Sequence, residues 1–320
     1  MGFPHSRGVV LFSLLLPLAL CFCSSTPAPA QDLPSAQAEL KLLFEDDLLY
    51  DRLTAEKAAA ALPTAQYVAA NASDAEGQAL GRRALAEIAR QLNHLADAEA
   101  QFRAVVLLYP GSGQAVWARY GLGLVCEKLA GALARPALRR TAIAEFQALL
   151  ASSPAHPVAN RAAEKIGLIY LDSREYEKAV EAYTKAITSY PGTPGAVFAH
   201  GGLAQAYREL RRWDDAVTHA RLRASSPRYP RCAMFLVIAG MALAGKGDLA
   251  QAAAEFQKVV DGYPGETEFR AQALYQKGFC FKALGDLTGA VATWRALIAN
   301  YPSHHLSLGA QEQLRLLGGS

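Results

Sequence analysis

The dipeptide Tyr-Pro recurs at Tyr109-Pro110, Tyr190-Pro191, Tyr229-Pro230, Tyr263-Pro264 and Tyr301-Pro302, each time after an apolar stretch, and Ser153-Pro154 fits the same series. Proline cannot continue a helical hydrogen-bond ladder and keeps the residue before it out of the α region, so each pair ends a helix. The prolines fall between 34 and 44 residues apart. That period is the length of a helix–turn–helix unit with small insertions. A chain punctuated this way buries the apolar face of each unit on its neighbours, as an array of repeats.

The interior of each unit repeats too. In the last one, Gly278 and Phe281 fall on a first helix, Gly285-Asp286 makes the turn, and Ala290, Trp294 and Leu297 share a face of a second helix. The same offsets hold Gly240, Leu243, Gly247-Asp248, Ala252, Phe256 and Val259 in the unit before, and Gly167, Tyr170, Tyr176, Ala179, Tyr183 and Ala186 further back. In the first unit they hold Ala86, Ala89, Leu95, Ala98, Phe102 and Val105. Small residues let the two helices approach, and the aromatic four positions after the second small residue fills the space between units.

Two units depart from this pattern. Trp117, Gly121 and Leu124 are separated from Ala142, Phe146 and Leu149 by AGALARPALRR, which predicts a long connection. In the fourth unit Ala220 stands where the aromatic belongs and Arg223 where the next apolar residue belongs, which predicts a kink. Before the array, Leu40, Leu43, Phe44 and Leu48 form a helical stripe and Pro63 interrupts the next apolar stretch, as in an atypical pair of capping helices.

On these residues the chain resembles the tetratricopeptide repeat (TPR) family over about residues 79–317. The resemblance implies an all-α fold, an α-solenoid superhelix of about six units with N-terminal capping helices. The units are expected near 79–112, 114–156, 160–193, 197–230, 233–266 and 271–304, with a solvating helix over 306–317. Residues 31–78 are left as linker and capping helices. The repeat style is similar to that of bacterial periplasmic and outer-membrane TPR proteins, such as the TolA-binding cell-division coordinator and BamD-type assembly lipoproteins. In this family positions 2, 5, 9 and 12 of each unit face the concave groove. Carried over, they give Gln205 and Arg208 in the fourth unit, Met234, Val237, Met241 and Ala244 in the fifth, and Gln272, Tyr275, Phe279 and Lys282 in the sixth. Arg83, Glu87 and Arg90 take those places in the first unit, so the groove is expected to be polar early and apolar late.

The uncharged run from Cys232 to Gly245 sharpens that expectation. As a helix it is about 21 Å long, short for a bilayer and suited to a buried helix or a groove wall. Residues 1–30 read as a secretory signal: a weak basic start at His5 and Arg7, an apolar centre from Val9 to Leu20, and Ala28-Pro29-Ala30 before Gln31. The mature chain then has no membrane span. A lipid anchor on Cys21 or Cys23 is the alternative, although Leu20 and Phe22 are not the small residues a bacterial lipobox places before its cysteine. Both readings put the protein outside the cytoplasm: periplasmic, or associated with the outer membrane.

A formal charge of +3 on 320 residues argues against wholesale nucleic-acid binding. The basic stretch from Arg208 to Arg231 reads as a solvated face or as a contact for an anionic partner. Cys126, Cys232 and Cys280 are too few for a disulfide framework, and the helical register keeps the last two unbridged. The sequence holds no HExxH, G-x-S-x-G, phosphate-binding Gly-Lys-Ser/Thr or paired CxxC, and His304-His305 reads as a helix-cap region. The expected function is that of a non-enzymatic exported scaffold without cofactor or metal. Its groove would bind protein or peptide partners in cell-envelope assembly or maintenance.

Overall fold

A computed structural model describes residues 32–44, 54–132, 135–226 and 231–318. The signal segment, Cys21, Cys23 and Tyr229-Pro230 lie outside them. The described residues form sixteen α-helices and no strand. Three helices precede the array: α1 (Leu33–Phe44), α2 (Ala55–Ala60) and α3 (Leu62–Asn71). Six hairpins follow: α4 (Ala75–Gln91) with α5 (Leu95–Leu108), α6 (Gly113–Ala132) with α7 (Pro136–Ser152), and α8 (Ala159–Asp172) with α9 (Tyr176–Ser189). Then come α10 (Pro194–Glu209) with α11 (Trp213–Ala224), α12 (Cys232–Lys246) with α13 (Leu249–Gly262), and α14 (Thr267–Ala283) with α15 (Leu287–Asn300). The closing helix is α16 (His305–Leu316). Helix α1 packs on α3 and α4, each helix from α2 onward packs on the next, and first helices pack on first helices at α4–α6, α8–α10, α10–α12 and α12–α14. This is the expected α-solenoid.

The helix ends follow from the sequence. Tyr109, Tyr190, Tyr263 and Tyr301 all terminate second helices with φ between −136° and −130° and ψ between 52° and 63°. That is the non-helical backbone a residue before proline prefers. Ser153 does the same at φ −146°. Within hairpins the turn residue is left-handed: Gly247 at φ 99° and Gly285 at φ 81° take it freely, whereas Arg174 and Arg211 are held there at 61° and 57°.

Packing rests on aromatic rings seated against glycines. Tyr183 lies between Gly167 of its own unit and Gly202 of the next. Phe256 lies on Gly240 and Trp294 on Gly278, and all three rings are buried. The second unit keeps the rule in a shifted register. Gly123, not Gly121, receives that unit's own Phe146, while Gly121 receives Phe102 from the unit before. The expected long connection there is largely helical. Ala130–Ala132 lengthens α6, and Pro136 starts α7 in the first turn, where a proline lacks only an N–H that has no partner anyway. Pro63 likewise opens α3, and the break falls at Ala61 between α2 and α3.

The fourth unit is repaired from its neighbour. Phe235, from the first helix of the fifth unit, packs beside Ala204 and Ala220 and sits over Gly201. Arg223 is 2% exposed, its guanidinium 4.8 Å from the Phe235 ring and 5.3 Å from that of Phe198. A cation between two ring faces gains electrostatic attraction while its stem fills space. Arg223, which stands where an apolar residue belongs, is thus one of the unit's packing elements.

A Cβ at Gly240 would lie 2.6 Å from the Phe256 ring, whereas one at Gly265 would meet nothing within 4 Å. Gly240→Ala is therefore expected to cost roughly 1–3 kcal/mol by overpacking. Gly265→Ala should leave the urea midpoint nearly unchanged, and urea unfolding of the two variants side by side checks this.

Candidate functional site

Gln205, Arg208, Met234, Met241, Tyr275 and Phe279 are all half-buried, on the first helices α10, α12 and α14. Val237 is not available to a partner. It is 2% exposed and belongs to the core, because α12 turns nine of its fifteen residues inward. The uncharged run is thus mainly a core helix, with Met234, Leu236, Met241 and Ala244 left partly open.

The sixth unit is more closed. Tyr275 and Phe279 meet edge to face at 5.0 Å, Phe279 meets Trp294 at 5.2 Å, and Trp294 Nε1 donates to the Tyr275 carbonyl at 3.1 Å. Helix α16 packs on α14, with Gly309 against the Tyr275 hydroxyl and Gln313 Oε1 accepting from Lys282 Nζ at 3.0 Å. The closing helix thus covers part of the expected apolar lining but, among the described residues, makes no packing contact with α12.

The polar start of the groove is also different from expectation. Arg83 and Glu87 are fully buried. Arg83 Nη1 donates to the Phe44 carbonyl at 3.1 Å and stacks over Trp117 at 5.4 Å, and Glu87 accepts from Arg90 Nε at 2.9 Å. Arg83 thus ties the capping segment to the array, and Glu87 is buried against Arg90 of its own helix.

A family model described as the tetratricopeptide repeat matches residues 132–194 and 202–267, and a second with the same description matches 272–304. Together they take in just over half of the chain. The chain belongs to the tetratricopeptide repeat family. No curated protein matches it. Among solved structures, the apo form of RapI superposes with a TM-score of 0.68 at 10% identity, over 89% of this chain and 80% of that one. The C-terminal part of a TPR repeat-containing protein from Cytophaga hutchinsonii gives 0.62 at 14% identity, over 87% and 99%. PilW gives 0.50 at 18% identity, over 88% and 100%. At such identities the likeness is one of fold.

Elsewhere in the TPR array, the arginines of the fourth unit are mostly engaged. Arg208 pairs with Glu209 at 2.6 Å and Arg212 with Asp215 at 2.8 Å. Arg221 pairs with the buried Glu255, which also accepts from Lys258 at 3.1 Å. Arg223 is buried, Arg211 and Arg231 are exposed, and Arg228 lies outside the described residues. Two cavities flank the junction of units 2 and 3. The larger, about 1020 Å³, opens between α7 and α9 over Ala163, Ile166 and Tyr170. The smaller, about 350 Å³, is lined by Arg90, Glu127, Lys128, Arg139 and Asp172 among others, and burial raises the pKa of Glu127 and Asp172.

The three described cysteines are free and buried. Burial pushes the Cys126 thiol up to about 11 and raises that of Cys280, so both stay protonated and unreactive. His304 caps α16, its Nδ1 accepting from the Leu306 N–H at 3.2 Å. His200 and His219, nineteen residues apart and in no recognisable motif, hydrogen-bond Nδ1 to Nδ1 at 2.8 Å between α10 and α11. Their rings stack at 5.0 Å, and Tyr207 stacks on His219 at 5.6 Å.

Burial lowers the pKa of both imidazoles. For His219 the charge of His200 lowers it further, and Asp215 opposes the shift. Below the ordinary histidine pKa of about 6.5 the unfolded chain therefore binds more protons than the folded one, and stability falls with pH. Thermal melts at pH 7.5 and 5.5 should show this loss in the wild type and a smaller one in His219→Gln.

Proposed function

We propose that this TPR protein is an exported scaffold of the cell envelope. It binds a protein or peptide partner on the concave side of units 4 to 6 and carries out no chemistry itself. The observation that carries the reading is the position of Met234 and Met241. They are the only methionines besides the initiator, and both stay half-buried on a helix that buries most of its residues. Flexible, polarisable thioethers adapt to varied apolar anchors. Gln205 and Arg208 on the preceding first helix supply polar contacts beside them, and Tyr275 and Phe279 flank them where α16 leaves room.

The TPR fold itself supports a protein-interaction scaffold. The signal-like segment before Gln31 supports export, with lipidation at Cys21 or Cys23 as the variant. PilW, which shares the fold, is described as a type IV pilus biogenesis factor, and that likeness is compatible with a role in envelope assembly or maintenance. In the described part, no helix is long and apolar enough to cross a membrane.

The test is a crosslinking pull-down from native envelopes with the wild-type chain and a Met234→Asp/Met241→Asp variant. Phe279 is left intact because it packs on Trp294. Recovery of a specific partner should fall roughly tenfold or more in a variant that keeps its helical spectrum, as expected when contact residues at the centre of an interface are lost. Equal recovery would remove the groove from the account. The recovered wild-type protein should begin at Gln31 on N-terminal sequencing. An intact Met1 in the cytosolic fraction would overturn the export reading.

A further inference from the structure

We propose that Glu268, His304 and His305 form a zinc(II) site that fastens the closing helix α16 to the start of α14. One ligand atom from each residue lies within 4.8 Å of the other two. His304 Nε2 and Glu268 Oε2 are already 2.9 Å apart, and the rings of His304 and His305 are stacked at 4.4 Å. Bonds of about 2.1 Å in a tetrahedral site set ligand atoms roughly 3.4 Å from one another. Because imidazole lone pairs lie in the ring plane, the two stacked rings do not yet aim at one point, and binding requires the exposed His305 ring to turn out of the stack. Glu268 and His305 are exposed and free to turn, while His304 is mostly buried and anchored at the helix start.

The donor set selects the metal. Two imidazoles and one carboxylate favour zinc and its borderline neighbours over calcium or magnesium, and three protein ligands leave a fourth position to water. His304 must change tautomer. Its Nδ1 accepts from the Leu306 N–H, so Nε2 carries the proton that faces Glu268. On metal binding that proton moves to Nδ1 and the Nε2 lone pair takes the zinc. The long 3.2 Å bond from Leu306 is given up. Two helix starts meet here, and their N–H groups disfavour a bare cation. The Glu268 carboxylate offsets this, while its neutral histidine partners add no charge. Because Glu268 belongs to α14 and both histidines to the start of α16, the metal would hold α16 down beside Tyr275.

The experiment is a calorimetric titration of the chelator-treated full chain with zinc sulfate, followed by hydrogen exchange of α16 with and without the metal. The expected result is one zinc per chain, with slower exchange in α16. His305→Ala and Glu268→Gln should each weaken binding roughly tenfold or more, since even residues outside the metal's own ligand set contribute that much. His219→Gln, at the other imidazole pair, should bind zinc as the wild type does. Absence of binding, binding unchanged in His305→Ala, or binding lost only in His219→Gln would each overturn the assignment.

Discussion

The array depends on aromatic rings, most of them from second helices, seated against glycines of first helices. Tyr183 does this twice, against Gly167 and Gly202, and so joins two units with one side chain. Removing the Cβ lets helix axes approach, and a large ring filling the gap removes much apolar area from water. Because the contact recurs along the chain, no global core is needed. Each unit is stable only through its neighbours, as in other one-dimensional repeats. Even the unit without its aromatic obeys the constraint, since Phe235 reaches back over Gly201 to fill the space beside Ala220.

Local features of this scheme were legible in the sequence. Proline stops, glycine turns and the spacing of small and aromatic residues act within one unit and depend little on distant partners. The closing helix, the buried unbridged thiols and the cap at His304 could be read for the same reason. The family's inward positions were less transferable. Val237 obeys the offset, yet α12 sits deeply enough to bury it. Arg83, Glu87 and Arg223 look solvated in a linear reading. Their burial depends on partners such as Phe44, Trp117 and Phe198, far away in sequence. The shift from Gly121 to Gly123 was hidden because both glycines take a ring and only space tells which ring is which.

The resulting surface is uneven along the superhelix. At the N-terminal end the buried Arg83 bonds to the end of α1 and is closed to a ligand. At the C-terminal end, α16 and the Tyr275–Phe279–Trp294 cluster close part of the groove. Between them the thioethers of α12 are the most adaptable apolar groups left partly open, beside the polar side chains of α10. The opening between α7 and α9 is the contrasting feature. It lies between second helices, above Ala163, Ile166 and Tyr170.

Site-specific photocrosslinking in living cells separates these two surfaces most directly. A photoreactive residue at Met241 reports on the side formed by first helices, and one at Lys185 reports on the opening between second helices. The account predicts a discrete adduct from Met241 and none from Lys185. Adducts from Lys185 alone would contradict it and place the partner on the opposite side of the solenoid.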